Sequence, residues 1–193
     1  MARTPGSTRE ETYERIVGVA AKAIRRDGYA GTGVAAVMKE AGLTHGGFYA
    51  HFKSRDDLLI EALQEAGRES RGIVAQSVEA GRARGASPFR TLVETYLDDR
   101  HLSHLEMGCP IAALGCDMPR QSAAVRKASA RGVQQLIDAV EATLPSRFKQ
   151  SAGLVASALV GALQLGRALG NTAEGRSHLA AARRTLIDTY ESL

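Results

Sequence analysis

Residues 32–59, TGVAAVMKEAGLTHGGFYAHFKSRDDLL, decide how the chain is read. Thr32 can cap a short helix that carries Val34, Val37, Met38 and Ala41 on one face, and Gly42 ends it. Thr44 can cap a second short helix whose Phe48 and Phe52 point inward. Two short amphipathic helices joined by a turn at Ala41-Gly42-Leu43 are the layout of a helix-turn-helix. In that motif the second helix lies in the major groove of DNA with its first residues toward the base edges. Thr44, His45, Gly46 and Gly47 occupy those positions here. Each glycine costs a helix roughly 1 kcal/mol against alanine, so the pair needs a reason. Close approach of the backbone to another surface supplies one, and DNA is such a surface; a glycine-loosened helix hairpin is the alternative.

The charge distribution agrees with a polyanion partner. Residues 1–55 hold nine bases (Arg3, Arg9, Arg15, Lys22, Arg25, Arg26, Lys39, Lys53, Arg55) against five acids (Glu10, Glu11, Glu14, Asp27, Glu40), while the rest of the chain is balanced. The whole excess of +4 therefore sits in the first quarter. Arg25 and Arg26 read as solvent-facing, as charge runs usually are. With aromatics at 5%, no Trp and only five Pro, the core must be aliphatic and the elements helical.

Working outward from the motif, residues 1–6 read as a frayed tail and Ser7 with Glu10 as a capping box. That box opens a helix with Tyr13, Ile16, Val17, Ala20, Ala23 and Ile24 in period, stopped at Gly28. Ser54 with Asp57 opens a long helix through Leu58, Leu59, Ala62, Leu63, Ala66, Ile73, Val74 and Val78. Ser87-Pro88 starts another, and Gly108, Pro110 and Pro119 break the chain. Further helices are expected from about Gln121 to Leu144, from Ser146 to Gly170, and from a Thr172 cap onward. The chain is expected to be all-α, with a helix-turn-helix domain at 1–55 and a larger helical domain at 56–193. The polar N-terminus has no apolar signal core. The uncharged stretch Ser151–Gly166 is shorter than the roughly 20 residues a membrane span needs. A cytoplasmic protein with no membrane partner is expected, and two cysteines are too few for a disulfide scaffold.

The segment AGLTHGGFYAHFKSRDDLL resembles the DNA-binding domain of the TetR family of regulators. The match rests on Ala41-Gly42-Leu43-Thr44, Gly46, Phe48-Tyr49, Phe52 and Lys53-Ser54. Met38 departs from it, standing where the family usually has a small residue. The resemblance implies a transcriptional regulator, by default a repressor, with double-stranded operator DNA as partner. Tyr49 and Lys53 resemble positions that clamp phosphates and fix register without reading sequence. Thr32 is a further candidate phosphate donor, and His51 reads equally as phosphate donor or packed ring. Thr44 and His45 are the candidate base readers.

One recognition helix gives little specificity, so a homodimer is expected. Residues 154–169 are apolar nearly all round, which demands burial on every side. The candidate interface is Leu154, Ala158, Gly161, Ala162 and Leu165, with Leu179, Leu186 and Tyr190 from the last helix; the resemblance implies a four-helix bundle across the dimer. A flexible apolar set (Tyr96, Leu97, Leu105, Met107, Cys109, Ile111, Leu114, Cys116 and Met118) suits a cavity for an unidentified small-molecule effector. Cys109 with Cys116, His101 and His104 leaves a thiol- or metal-responsive alternative open, although the spacing matches no common zinc pattern. A Cys109–His104 pair could serve as nucleophile and base, yet lacks a third orienting residue, so no enzyme is expected. No cofactor is expected. A DNA binder without sequence preference is the remaining alternative.

Overall fold

A computed structural model describes residues 8–191. The tail at 1–6 and Ser7 lie outside the described residues, and the observed capping box uses the next pair along. Thr8 Oγ1 accepts from the Glu11 N–H at 3.1 Å, and the Glu11 carboxylate accepts from the Thr8 N–H at 2.7 Å. This box opens α1 (Arg9–Gly31), whose helical run stops at Gly28 with φ 71°, where the expected C-terminal stop falls. Then follow α2 (Val34–Glu40), a 3-10 helix at His45–Ala50, α3 (Arg55–Arg82), α4 (Pro88–Tyr96), a 3-10 turn at Asp99–Leu102, α5 (Pro110–Leu114), another at Met118–Arg120, α6 (Ala123–Glu141), α7 (Ala152–Leu169) and α8 (Ala173–Glu191). Among the described residues there is no strand. The Ser54, Ser87 and Thr172 hydroxyls accept from the N–H groups of Asp57, Arg90 and Gly175, as their spacing predicts. Residues 146–151 form a separate 3-10 turn ahead of α7.

Two apolar cores share α3, α5 and α6. The first gathers Ile16, Ala20 and Ile24 of α1, Val37 and Met38 of α2, Phe48, Phe52, and Leu58, Leu59 and Leu63 of α3. It is completed from beyond the first sixty residues by Leu114, Met118, Val125 and Ala128. The second core sits between α4, α6, α7, α8 and the far end of α3, around Phe89, Val93, Val155, Leu159, Leu163 and Leu179. Because α3 spans 28 residues, about 42 Å at 1.5 Å per residue, it reaches both. Ile73, expected inward, is 43% exposed, because α3 leaves one core there before it enters the other.

Arg25 overturns its surface reading. It is buried, and its guanidinium donates to the Glu69 carboxylate at 2.6 Å, to Ala66 O at 3.4 Å and to Gly108 O at 3.5 Å. One side chain of α1 thereby ties together α3 and the turn before α5. Arg26 does face outward, paired with Asp27 and Glu40. The Glu69 side chain keeps 35% of its surface, so the pair is partly screened. Glu69→Ala leaves the cation buried and is expected to cost about 2 kcal/mol in urea unfolding. The Arg25→Met/Glu69→Ala double variant should lose less than the sum of the single losses; strict additivity would show that the two side chains do not act as a pair.

Candidate nucleic-acid interface

The exposed surface of the N-terminal unit is fixed from beneath. Phe48 and Phe52 are buried and stack at 5.3 Å, and Tyr13 of α1 stacks on Phe52 at 5.2 Å. These rings set the rotation of the His45–Ala50 helix, which leaves its other side to solvent. Gly42, at φ 71°, supplies the left-handed turn that brings this helix across α2. Two arginines outside the His45–Ala50 helix brace the arrangement. Arg9 donates to Ala50 O at 2.8 Å, and Arg55 donates to the carbonyls of Tyr29 and Thr32. Neither was legible as a brace, because a surface arginine and a carbonyl-binding one read alike in sequence.

Thr44, His45, Gly46, Tyr49 and Lys53 are exposed and Gly47 is half-buried. The Tyr49 ring is 71% exposed and stands edge-on to Phe48 at 5.2 Å and His45 at 6.5 Å, so its hydroxyl is held outward. The Thr44 hydroxyl caps no backbone N–H. The Lys53 N–H donates to the Asp57 carboxylate, which fixes the chain where it enters α3. His51 is half-buried, 6.5 Å from Phe52, in a shallow groove with Arg9, Glu10 and Tyr13. Thr32 does not fit its assignment. It is 1% exposed, its hydroxyl donates back to Gly28 O at 2.7 Å, its N–H bonds the same carbonyl, and Gly33 takes the N-cap of α2.

The two glycines answer to different neighbours. A Cβ at Gly47 would lie 3.7 Å from Met38 Cε, so the large Met38 fills space that the recognition helix leaves open. A Cβ at Gly46 would meet nothing within 4 Å, and Gly46 has no positive φ. Among the described residues neither packing nor strain calls for glycine there.

In the larger unit, α7 has two sides. Val155, Leu159 and Leu163 are buried, while Leu154, Leu165 and Leu169 are 66%, 58% and 47% exposed. Ala158, Gly161 and Ala162 lie along that outward stripe with partial or full exposure. By length and composition Ser146–Leu169 could cross a membrane, but its inner side is core. Leu179, Leu186 and Tyr190 are buried in the chain's own second core, so they do not form an exposed interface. An apolar stripe on α8 was legible; which surface it covers was not.

Two cavities of about 350 and 360 Å³ open along α3 and α6. Cys109, Ile111 and Met118 line one, Tyr96 lines the other, and Met107 lines a third opening beside Arg25. Leu97 and Leu114 are solid core, and Leu105 and Cys116 are exposed; none of the four lines these cavities. Tyr96 is buried against Cys109, and burial pushes its phenol well above the ordinary 10.0. His104 is exposed with Nδ1 on Arg100 O, and His101 Nδ1 lies 3.0 Å from Tyr96 O. Among the described residues no three of His, Cys, Asp and Glu group to hold a metal ion.

Residues 16–62 match the family described as bacterial regulatory proteins, tetR family. The chain is 27% identical over 164 residues to the HTH-type transcriptional regulator LmrA of Bacillus subtilis, covering 80% of this chain and 86% of that one. It is 36% identical over 61 residues to the HTH-type transcriptional regulator AcrR of Shigella flexneri, covering 32% of this chain and 28% of that protein. The crystal structure of a TetR transcriptional regulator from Legionella pneumophila superposes with a TM-score of 0.75 at 16% identity, covering 97% of this chain and 100% of that one. That likeness concerns the fold.

Gly46→Ala separates fold from binding. Thermal melting should be unchanged or raised, since alanine favours the helix by up to roughly 1 kcal/mol. Affinity for duplex DNA, read by fluorescence polarisation, should fall roughly tenfold or more as the added methyl holds the backbone off the groove. Unchanged affinity would remove the close-approach account of this glycine.

Proposed function

The chain belongs, through its N-terminal domain, to the tetR family of bacterial regulatory proteins, and from that premise we propose that it is a homodimeric repressor released from a palindromic operator by a small molecule. It is a sequence-specific DNA-binding transcriptional regulator. The observation that carries the reading is the outward side of the recognition helix. Thr44, His45 and Tyr49 are exposed there around a glycine that nothing inside the chain requires. Tyr49 and Lys53 contact phosphates and set register; Thr44 and His45 reach base edges where Gly46 and Gly47 let the backbone approach. Thr32 has no free hydroxyl for this work, and His51 sits at the margin of the surface.

The functional division falls near residue 55, with the DNA-reading unit before it and the ligand and pairing unit after it. Two copies pair through the outward stripe of α7, placing two recognition helices about 34–36 Å apart, one turn of the duplex. Leu154 and Leu165, more than half exposed at three-turn spacing with small residues between, support a close helix–helix contact. Acting on DNA, the protein works in the cytoplasm, and its role is binding, not catalysis. Release requires the ligand to favour a conformer in which the two recognition helices no longer match the groove.

Tyr49→Phe with Lys53→Ala should weaken binding almost uniformly across sequences and reduce the slope of log affinity against log salt by about 1. His45→Ala should instead change which base pairs are preferred in a binding selection; unchanged preferences would exclude it as a reader. Leu165→Glu should turn the dimer into a folded monomer in analytical ultracentrifugation, with a large loss of operator affinity. A variant that stays dimeric would place the interface elsewhere.

A further inference from the structure

The two cavities along α3 share Ser70, Arg71 and Leu136 in their walls, so Arg71 stands between them. The other ionisable groups of α3 in these walls are matched. Glu65 pairs with Arg68, Glu61 faces the Tyr13 phenol and helps to raise its pKa, and Glu79 lies 3.9 Å from Arg82. Arg71 is half-buried and, among the described residues, has no ion pair and no hydrogen bond. Its guanidinium folds back over Gly67, where a Cβ would come within 2.9 Å of Nη1, so the absence of a side chain there makes room for it. Arg131, exposed at the rim of the first cavity, adds a second cation with no ion pair among the described residues.

The second cavity supplies the opposite character. Its wall is mostly apolar, with Val74, Val78, Leu92 and Tyr96 on one side and Leu136 on the other. This guanidinium, not sealed from solvent, keeps five N–H donors in a fork that matches a carboxylate, and none is taken up by an ion pair or hydrogen bond among the described residues. We propose that this is a binding site for an organic carboxylate, its anion on Arg71 and its apolar body against Val74, Val78, Leu92 and Tyr96. Each cavity alone falls within the 300–1,000 Å³ usual for small-molecule sites. As the site of the releasing ligand, it rests on the repressor reading above; as a carboxylate site, it does not.

The test is calorimetry on the intact, DNA-free protein with hexanoate, octanoate, decanoate and phenylbutanoate, beside octan-1-ol and octylamine. The expected result is that the best carboxylate binds at least roughly tenfold tighter than the alcohol, with the amine weakest. Arg71→Gln should abolish the preference for acid over alcohol without lowering the melting temperature, and Arg71→Lys should keep part of it. Equal affinity for acid and alcohol, a preference that survives Arg71→Gln, or no binding of any acid would each overturn the proposal. The same acids are then titrated into the protein–operator complex. Release supports the site as the effector site, whereas binding without release overturns that role and leaves the carboxylate site standing.

Discussion

The burial of α3 in both cores is the constraint on which the rest of the molecule depends. The short helices before residue 55 bury too little apolar surface to be stable alone. Leu58, Leu59 and Leu63 complete their core from one end of α3, and Val78 belongs to the other core. Leu114, Met118, Val125 and Ala128 close the first core from the larger unit. The recognition helix is therefore not carried on a flexible arm. Its orientation is set by Phe48 and Phe52, which rest on a core that the second unit helps to build.

That shared construction gives a physical route between the units. The Met107–Cys109 turn is held from two sides. Arg167 of α7 donates to His101 O at 3.1 Å and Met107 O at 2.9 Å, while Arg25 of α1 reaches Gly108 O at 3.5 Å. Cys109, at the end of this turn, lines the first cavity, as does Gly67, next to the Ala66 carbonyl that Arg25 also holds. A molecule seated there would touch the elements that fix α1, and a partner copy on the outer side of α7, as proposed, would sit on the helix that carries Arg167. The proposed pairing stripe, the cavity and the His45–Ala50 helix are thus joined by a contiguous set of packed contacts, along which the proposed shift between binding-competent and released conformers would have to pass.

Much of this was legible in sequence because it rests on periodicity and caps. Phe48 and Phe52 declare themselves by helical spacing, Ser54 and Ser87 by cap position, and residues 154–169 by being apolar on more sides than one core can cover. The exceptions share a cause. Thr32 has the composition of an N-cap, but the same hydroxyl can turn back to the preceding helix, and only the path of the chain at Gly28 decides between them. Arg25 reads as surface because charge usually is; its burial depends on Glu69 and on the Gly108 carbonyl, 44 and 83 residues away. The stripe of Leu179, Leu186 and Tyr190 was correctly apolar and wrongly placed, since periodicity marks a covered side without naming the cover. Arg71 was not legible for a related reason: its significance is the lack of a partner among the described residues, and that is a property of the packed helices.

We propose that a pair of these chains reads a defined duplex sequence through His45 and its neighbours. The most direct test is selection of genomic DNA fragments by the purified protein at a stated salt concentration. Enrichment of a short palindrome whose half-site centres lie one helical turn apart is the expected result. Uniform recovery of fragments without an enriched sequence would contradict it.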